Sequence, residues 1–159
     1  MIDPGCYLQF TLEGQDYAIR LSAVIRVTAA AMVSPLPRAP DIVVGVLNLS
    51  GRIVPVVNVR RRFRLPERGQ MPSDKFIISR TQRQGGGERL LALSVDDVLG
   101  VCEISDRDVV ATSAVLPGLD FLEGIARTDA GVILIHDLST FLALEEAQVL
   151  DASLAEREG

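Results

Sequence analysis

Two apolar runs separated by two turn residues constrain this chain more than any other feature. Ile42 to Leu49 and Arg52 to Val59 flank Ser50-Gly51. A connection that short joins strands only as an antiparallel hairpin. Pro55 inside the second run marks an edge or a bulge, because proline lacks the N–H that a ladder needs. The rest of the 159-residue chain supports the same reading: it is 48% hydrophobic, with no Trp, two Tyr and five Phe. Its core must therefore be built from Val, Ile and Leu, and the β-branched members of that set favour pleated sheet.

Further hairpins follow from alternation and turn chemistry. Tyr7 to Leu12 and Tyr17 to Leu21 pair across Glu13-Gly14-Gln15-Asp16. Phe76 to Ser79 and Leu90 to Val95 flank Gln84-Gly85-Gly86-Gly87, and Leu122 to Arg127 meets Val132 to Ile135 across residues 128–131. Val27 to Val33 and Val98 to Ile104 read as single extended stretches. Proline-containing loops are expected at residues 35–40 and around Pro117-Gly118. Ser22 is expected to cap one helical turn and Asp137 a short helix from Leu138 to Leu142, with another short helix from Val59 to Leu65. Ala143, Ala147, Leu150 and Leu154 recur at helical spacing, which predicts a C-terminal helix with one apolar stripe against the body.

The two halves resemble one another. At an offset of 79 residues Gly45 falls on Gly124, Ile53 to Val57 on Val132 to His136, and Asn58-Val59 on Asp137-Leu138. At an offset of 74, Val24 falls on Val98 and Val27 on Val101. Duplication predicts two similar small β-barrels, whose closure removes the exposed strand edges that make small sheets adhesive.

Composition excludes several functions. A net charge of −5 argues against nucleic acid as the main partner, and the one basic cluster, Arg60-Arg61-Arg62 with Arg64, lacks aromatic platforms. That cluster reads as a solvated helix face or a contact for an acidic protein. Cys6, Cys102 and the single His136 share no metal-type spacing. The glycine run lacks the lysine and following helix of a phosphate-binding loop. Asp96-Asp97 and the Asp106/Asp108 pair lie at turns, where Asp bonds its own backbone. No catalytic residue, metal or cofactor is expected, and the chain reads as a non-enzyme. With no signal-peptide pattern and no run long enough to span a membrane, a cytoplasmic location is expected.

Four segments carry a family resemblance: YLQFTLEGQDYAIRLSAVIRV, GVLNLSGRIVPVVNVRRRF, LALSVDDVLGVCEI and FLEGIARTDAGVILIHDLSTFL. In this order and spacing they resemble the CheW family of bacterial chemotaxis coupling proteins over residues 7–151. The resemblance implies a mainly β fold of two SH3-like β-barrels sharing a hydrophobic core, at roughly 7–66 and 74–143, with short helices. Residues 144–159 would form a C-terminal helix and tail. It also implies a signalling adaptor that couples the cytoplasmic tip of methyl-accepting chemoreceptors to the regulatory domain of a CheA-type histidine kinase, without nucleic acid or membrane insertion.

The expected receptor- and kinase-binding residues are Val24, Arg26, Val27, Gly45, Asn48, Ser50 and Ile77, around a groove between the barrels. Two positions depart from the family pattern. Its NLRG is Asn48-Leu49-Ser50-Gly51 here, and its acidic VxEI position is Arg26 in Val24-Ile25-Arg26-Val27. Joint loss of a charge pair is tolerated where a lone loss would strand the remaining charge. These departures keep two alternatives open: a degenerate module that sequesters one signalling partner, and an adaptor in a non-motility chemosensory pathway. A small β-barrel enzyme is a third reading, which turnover abolished by His136→Ala would support.

Overall fold

Register in the computed structural model repeats between the two halves of the chain. It describes residues 5–83, 86–110, 122–138 and 144–158. In chain order the strands are β1 (Cys6–Leu12), β2 (Gln15–Arg20), β3 (Val24–Ala29), β4 (Val43–Leu49), β5 (Arg52–Asn58), β6 (Lys75–Gln82), β7 (Glu88–Val95), β8 (Asp97–Glu103), β9 (Val109–Val110), β10 (Leu122–Thr128) and β11 (Gly131–His136). The helices are α1 (Val59–Arg62) and α2 (Leu144–Glu158). The sheets run β8-β1-β2-β11-β10-β9 and β3-β6-β7-β5-β4.

The hairpin β4–β5 pairs Val43 with Val57 and Gly45 with Val56, with a bulge after Val43. The hairpin β10–β11 pairs Leu122 with His136 and Gly124 with Ile135, with a bulge after Leu122. Every one of these partners is displaced by the predicted 79 residues. Each hairpin then adds a parallel neighbour, β7 beside β5 and β2 beside β11. Pro55 sits where its missing donor does no harm, because the β7 ladder starts only at Val56.

Gly45 and Gly124 also serve one purpose. A Cβ on Gly45 would lie 2.3 Å from the carbonyl oxygen of Ser34, and one on Gly124 would lie 2.7 Å from Cγ1 of Val109. In both hairpins another backbone segment crosses the bulge, through the Ser34–Val46 bridge and through β9. Only glycine leaves room for that approach.

The compact units are interleaved and not consecutive. One comprises Met1–Val24 with Val95–Phe141, the other Ile25–Ser94 with Leu142–Gly159. The expected boundaries of 7–66 and 74–143 differ from this because the third strand of each repeat leaves its own hairpin. β3 follows β1–β2 in the chain but pairs in the sheet of β6, while β8 follows β6–β7 and pairs with β1. Nothing in local sequence encodes such an exchange.

Each unit has its own aliphatic centre. Tyr7, Ala18, Ile104, Ala126, Ile133 and Ile135 pack together in the first, joined by Cys102 and Val109. Leu47, Val54, Val56, Phe76, Ile78 and Ala92 pack in the second.

Several local expectations shift. The turn before β3 is a 3-10 helix, Leu21–Ala23, preceded by Arg20 with no side-chain cap, so Ser22 is not its cap. α1 stops at Arg62 and not at Leu65, since Phe63 leaves the helical region and Arg64 takes φ 58°. Its cap is Asn58, whose Oδ1 accepts the Arg61 N–H at 3.2 Å. In α2, Leu150 is fully buried and Leu154 and Ala147 half-buried. Ser153 is buried too, its hydroxyl 2.9 Å from the Arg38 carbonyl oxygen and 3.0 Å from that of Val149. Residues 139–143, which include Ala143 and the expected helix after Leu138, lie outside the described residues, as do Pro117-Gly118 and Gln84-Gly85.

A candidate docking surface on the second unit

β3 ends its sheet in strand order, so one side of its backbone has no strand partner among the described residues. Ile25 and Val27 expose 41% and 38% of their surface. Arg26, exposed between them, makes no ion pair among the described residues; Val24, where the strand begins, is half-buried. An apolar strip interrupted by one cation suits association with another protein better than it suits solvent.

The β4–β5 turn lies in the same unit. Ser50 and Gly51 both take positive φ, 52° and 87°, as a two-residue hairpin turn of this hand demands. Asn48 holds the turn by accepting the Gly51 N–H on Oδ1 at 2.9 Å. Asn48 and Ser50 are exposed, and Val44 and Ile53 add apolar surface on the two strands. The Ser34–Val46 bridge ties the segment after β3 to β4.

The predicted site residues therefore divide. Val24, Arg26, Val27, Asn48 and Ser50 lie at or near the surface. Gly45 is buried under Ser34 and shapes the hairpin, and Ile77 is fully enclosed, so neither presents a side chain to a partner. Ile77 was expected to line a groove; β6 is instead buried on both faces from Phe76 to Ser79, which only long-range packing decides. Ile25, Val44 and Ile53 are the exposed neighbours that sequence reading passed over. Strand alternation gave no signal for them, because apolar residues occupy both faces.

The basic cluster is largely consumed within the chain. Arg60 is buried, and its Nη1 donates to the Pro66 carbonyl at 3.0 Å. Arg61 pairs with Glu67 and donates to the Asp41 carbonyl, while Arg62 pairs with Glu146 of α2. The Arg61–Glu67 hydrogen bond raises the Arg61 pKa further, so its charge is fixed. The expected solvated helix face, or contact for an acidic protein, is therefore in large part a set of tethers within the chain.

The remaining reactive side chains are dispersed. His136 is buried. Cys6 and Cys102 are half-buried thiols not joined in a disulfide, and burial pushes the Cys102 thiol up, away from the nucleophilic thiolate. Asp96 accepts the Glu13 N–H at 3.0 Å and Asp97 the Val98 N–H at 2.9 Å, as turn carboxylates do. Among the described residues no group of His, Cys, Asp and Glu is placed to hold a metal. No described helix is long and apolar enough to cross a membrane.

A sequence profile of the CheW-like domain matches residues 6–146. The chain belongs to the CheW family. It is similar to the chemotaxis protein CheW of Treponema pallidum, 26% identical over 147 residues that span 89% of this chain and 84% of that protein. Its similarity to CheW of Thermotoga maritima is 28% over 136 residues, or 85% of each chain. The crystal structure of the scaffolding protein TtCheW from Thermoanaerobacter tengcongensis superposes with a TM-score of 0.78 at 27% identity, covering 91% of this chain and 96% of that one. The two β-sheet units are thus the pair of SH3-like barrels of a CheW fold, and the chain is a non-enzymatic chemotaxis scaffold.

Proposed function

We propose that this CheW scaffold works in the cytoplasm, coupling the tips of chemoreceptors to the regulatory domain of a CheA-type histidine kinase. The exposed strip Ile25-Arg26-Val27 on the edge strand β3 is the observation that carries this reading. Val24, Asn48 and Ser50 extend the surface, and Gly45 sets the hairpin that presents it. Signal passes by changes in contact, as suits a non-enzymatic scaffold. Reconstitution tests the proposal. Added to receptor signalling fragments and kinase, the protein should raise kinase activity, and Val27→Glu should abolish that gain while leaving the fold intact. Absence of stimulation by the unaltered protein would sink it.

A second reading is favoured by Arg26 and Ser50, which replace the acid and the arginine of the family pattern. On that reading the chain binds one partner and withholds it. Kinase activity would then fall with added protein, and pulldown would recover receptor or kinase, not both. Service in a non-motility chemosensory pathway would leave both binding events intact.

A further inference from the structure

A cleft of about 100 Å³ lies in the second unit, walled by β5, the β6–β7 hairpin and α2. Arg52, Arg83 and Arg89 line it together with Glu88 and Asp151, and Pro55, Leu90 and Leu154 supply an apolar wall. Arg80 lies 3.9 Å from Glu88. Three guanidinium groups thus line the cleft beside two carboxylates, a local positive excess on a chain whose net charge is −5.

The internal pairing leaves donors over. Asp151 accepts from Nη2 of Arg89 at 2.7 Å and lies 3.4 Å from Nη2 of Arg83. Arg52 makes no ion pair among the described residues. The Arg89 side chain is only 9% exposed, and its Nη1 is buried with no hydrogen-bond partner among the described residues. That atom is closed off from solvent, so the donors open to a ligand in the cleft are those of the exposed Arg52 and Arg83. Guanidinium groups match carboxylate and phosphate oxygens through paired N–H bonds, more strongly beside an apolar wall.

We infer that this cleft binds a single oxyanion group, a phosphate or a carboxylate, with Arg52 and Arg83 at its mouth and Arg89 at its base. Asp151 is the chain's own competitor for the same arginines. The volume has room for one such group. This inference is independent of the coupling reading and survives its failure.

Titration of inorganic phosphate and, separately, succinate into the full chain tests it, followed by backbone and arginine side-chain NMR shifts. Sodium chloride at matched ionic strength is the control, since screening alone moves shifts without saturating. Saturable shifts centred on Arg52, Arg83 and Arg89 are expected. Saturation by phosphate alone assigns a phosphate source, and by succinate alone an acidic one. Asp151→Asn should bind several-fold more tightly and Arg52→Ala about tenfold more weakly, about 1.4 kcal/mol. Arg52 is exposed, so Arg52→Ala tests the site even if Arg89→Met fails to fold. Shifts that sodium chloride reproduces, or equal affinity in Arg52→Ala and the unaltered protein, would overturn the inference.

Discussion

The guanidinium of Arg68 meets the carboxylate of Asp74 in a two-bond fork, Nη2 to Oδ1 at 2.7 Å and Nη1 to Oδ2 at 3.0 Å. The Asp74 side chain is 4% exposed and that of Arg68 28%. Oδ2 also accepts the Met71 N–H at 2.9 Å, and the Asp74 carbonyl accepts the Ala30 N–H at 3.0 Å. The polar loop before β6 is thereby fastened to the segment after β3.

Removing the arginine should cost more than removing the acid. Arg68→Met strands a buried carboxylate, and a loss of about 3–5 kcal/mol is expected. Asp74→Ala leaves a cation that reaches water, so a smaller loss of about 2 kcal/mol is expected. Urea unfolding of both variants checks the order, and equal losses would contradict it.

Leu150 anchors α2. Its truncation to Ala should cost about 2–5 kcal/mol, the usual range for a buried Leu whose surroundings relax incompletely. A change below about half a kilocalorie in thermal or chemical denaturation would show instead that the helix is loosely held.

The equivalent glycines should differ in tolerance. Gly45→Ala drives a Cβ against the Ser34 carbonyl oxygen, which backbone pairing with Val46 holds in place. Gly124→Ala meets first a methyl of Val109, which can turn aside. Overpacking costs of about 3 and about 1 kcal/mol are expected. Calorimetry of the two variants reads the difference directly.

Burial raises the pKa of Tyr17, whose ring stacks on Phe10 with centroids 5.7 Å apart. The unfolded chain releases this proton near pH 10, while the folded protein still holds it. The stabilisation is therefore complete below about pH 10 and is lost as pH rises through the folded-state value. Tyr17→Phe should flatten part of the alkaline decline in stability, measured by denaturant midpoints from pH 9 to 11.

Arg26→Glu and Ser50→Arg together rebuild the family's charges. If the acid and arginine meet, the double variant should be more stable than the two single changes predict, with coupling of about 0.2–1 kcal/mol for an exposed pair. It should also bind a standard receptor–kinase pair better than the unaltered chain. Strict additivity in the double-mutant cycle would show that the two residues do not meet.

Much of the fold was legible because its signals are local. Ser50-Gly51 dictates a hairpin through backbone conformation alone, and the 79-residue offset predicts the register of β10–β11 from that of β4–β5. The proposed docking residues were less legible. Arg26 and Ser50 stand out only against a family pattern, while the burial of Ile77 depends on what covers both faces of β6.

The sequence by itself determined strands, turns, the duplicated hairpin and the apolar stripe of α2, since periodicity and φ preferences act within a few residues. Only the tertiary structure decided that β3 and β8 cross to the other repeat's sheet, that Arg60 is buried and that Arg68 closes on Asp74. Strand pairing and ion pairing are choices among many chemically similar partners. Those choices depend on which distant segments the whole chain can bring together while filling its cores and satisfying its buried charges.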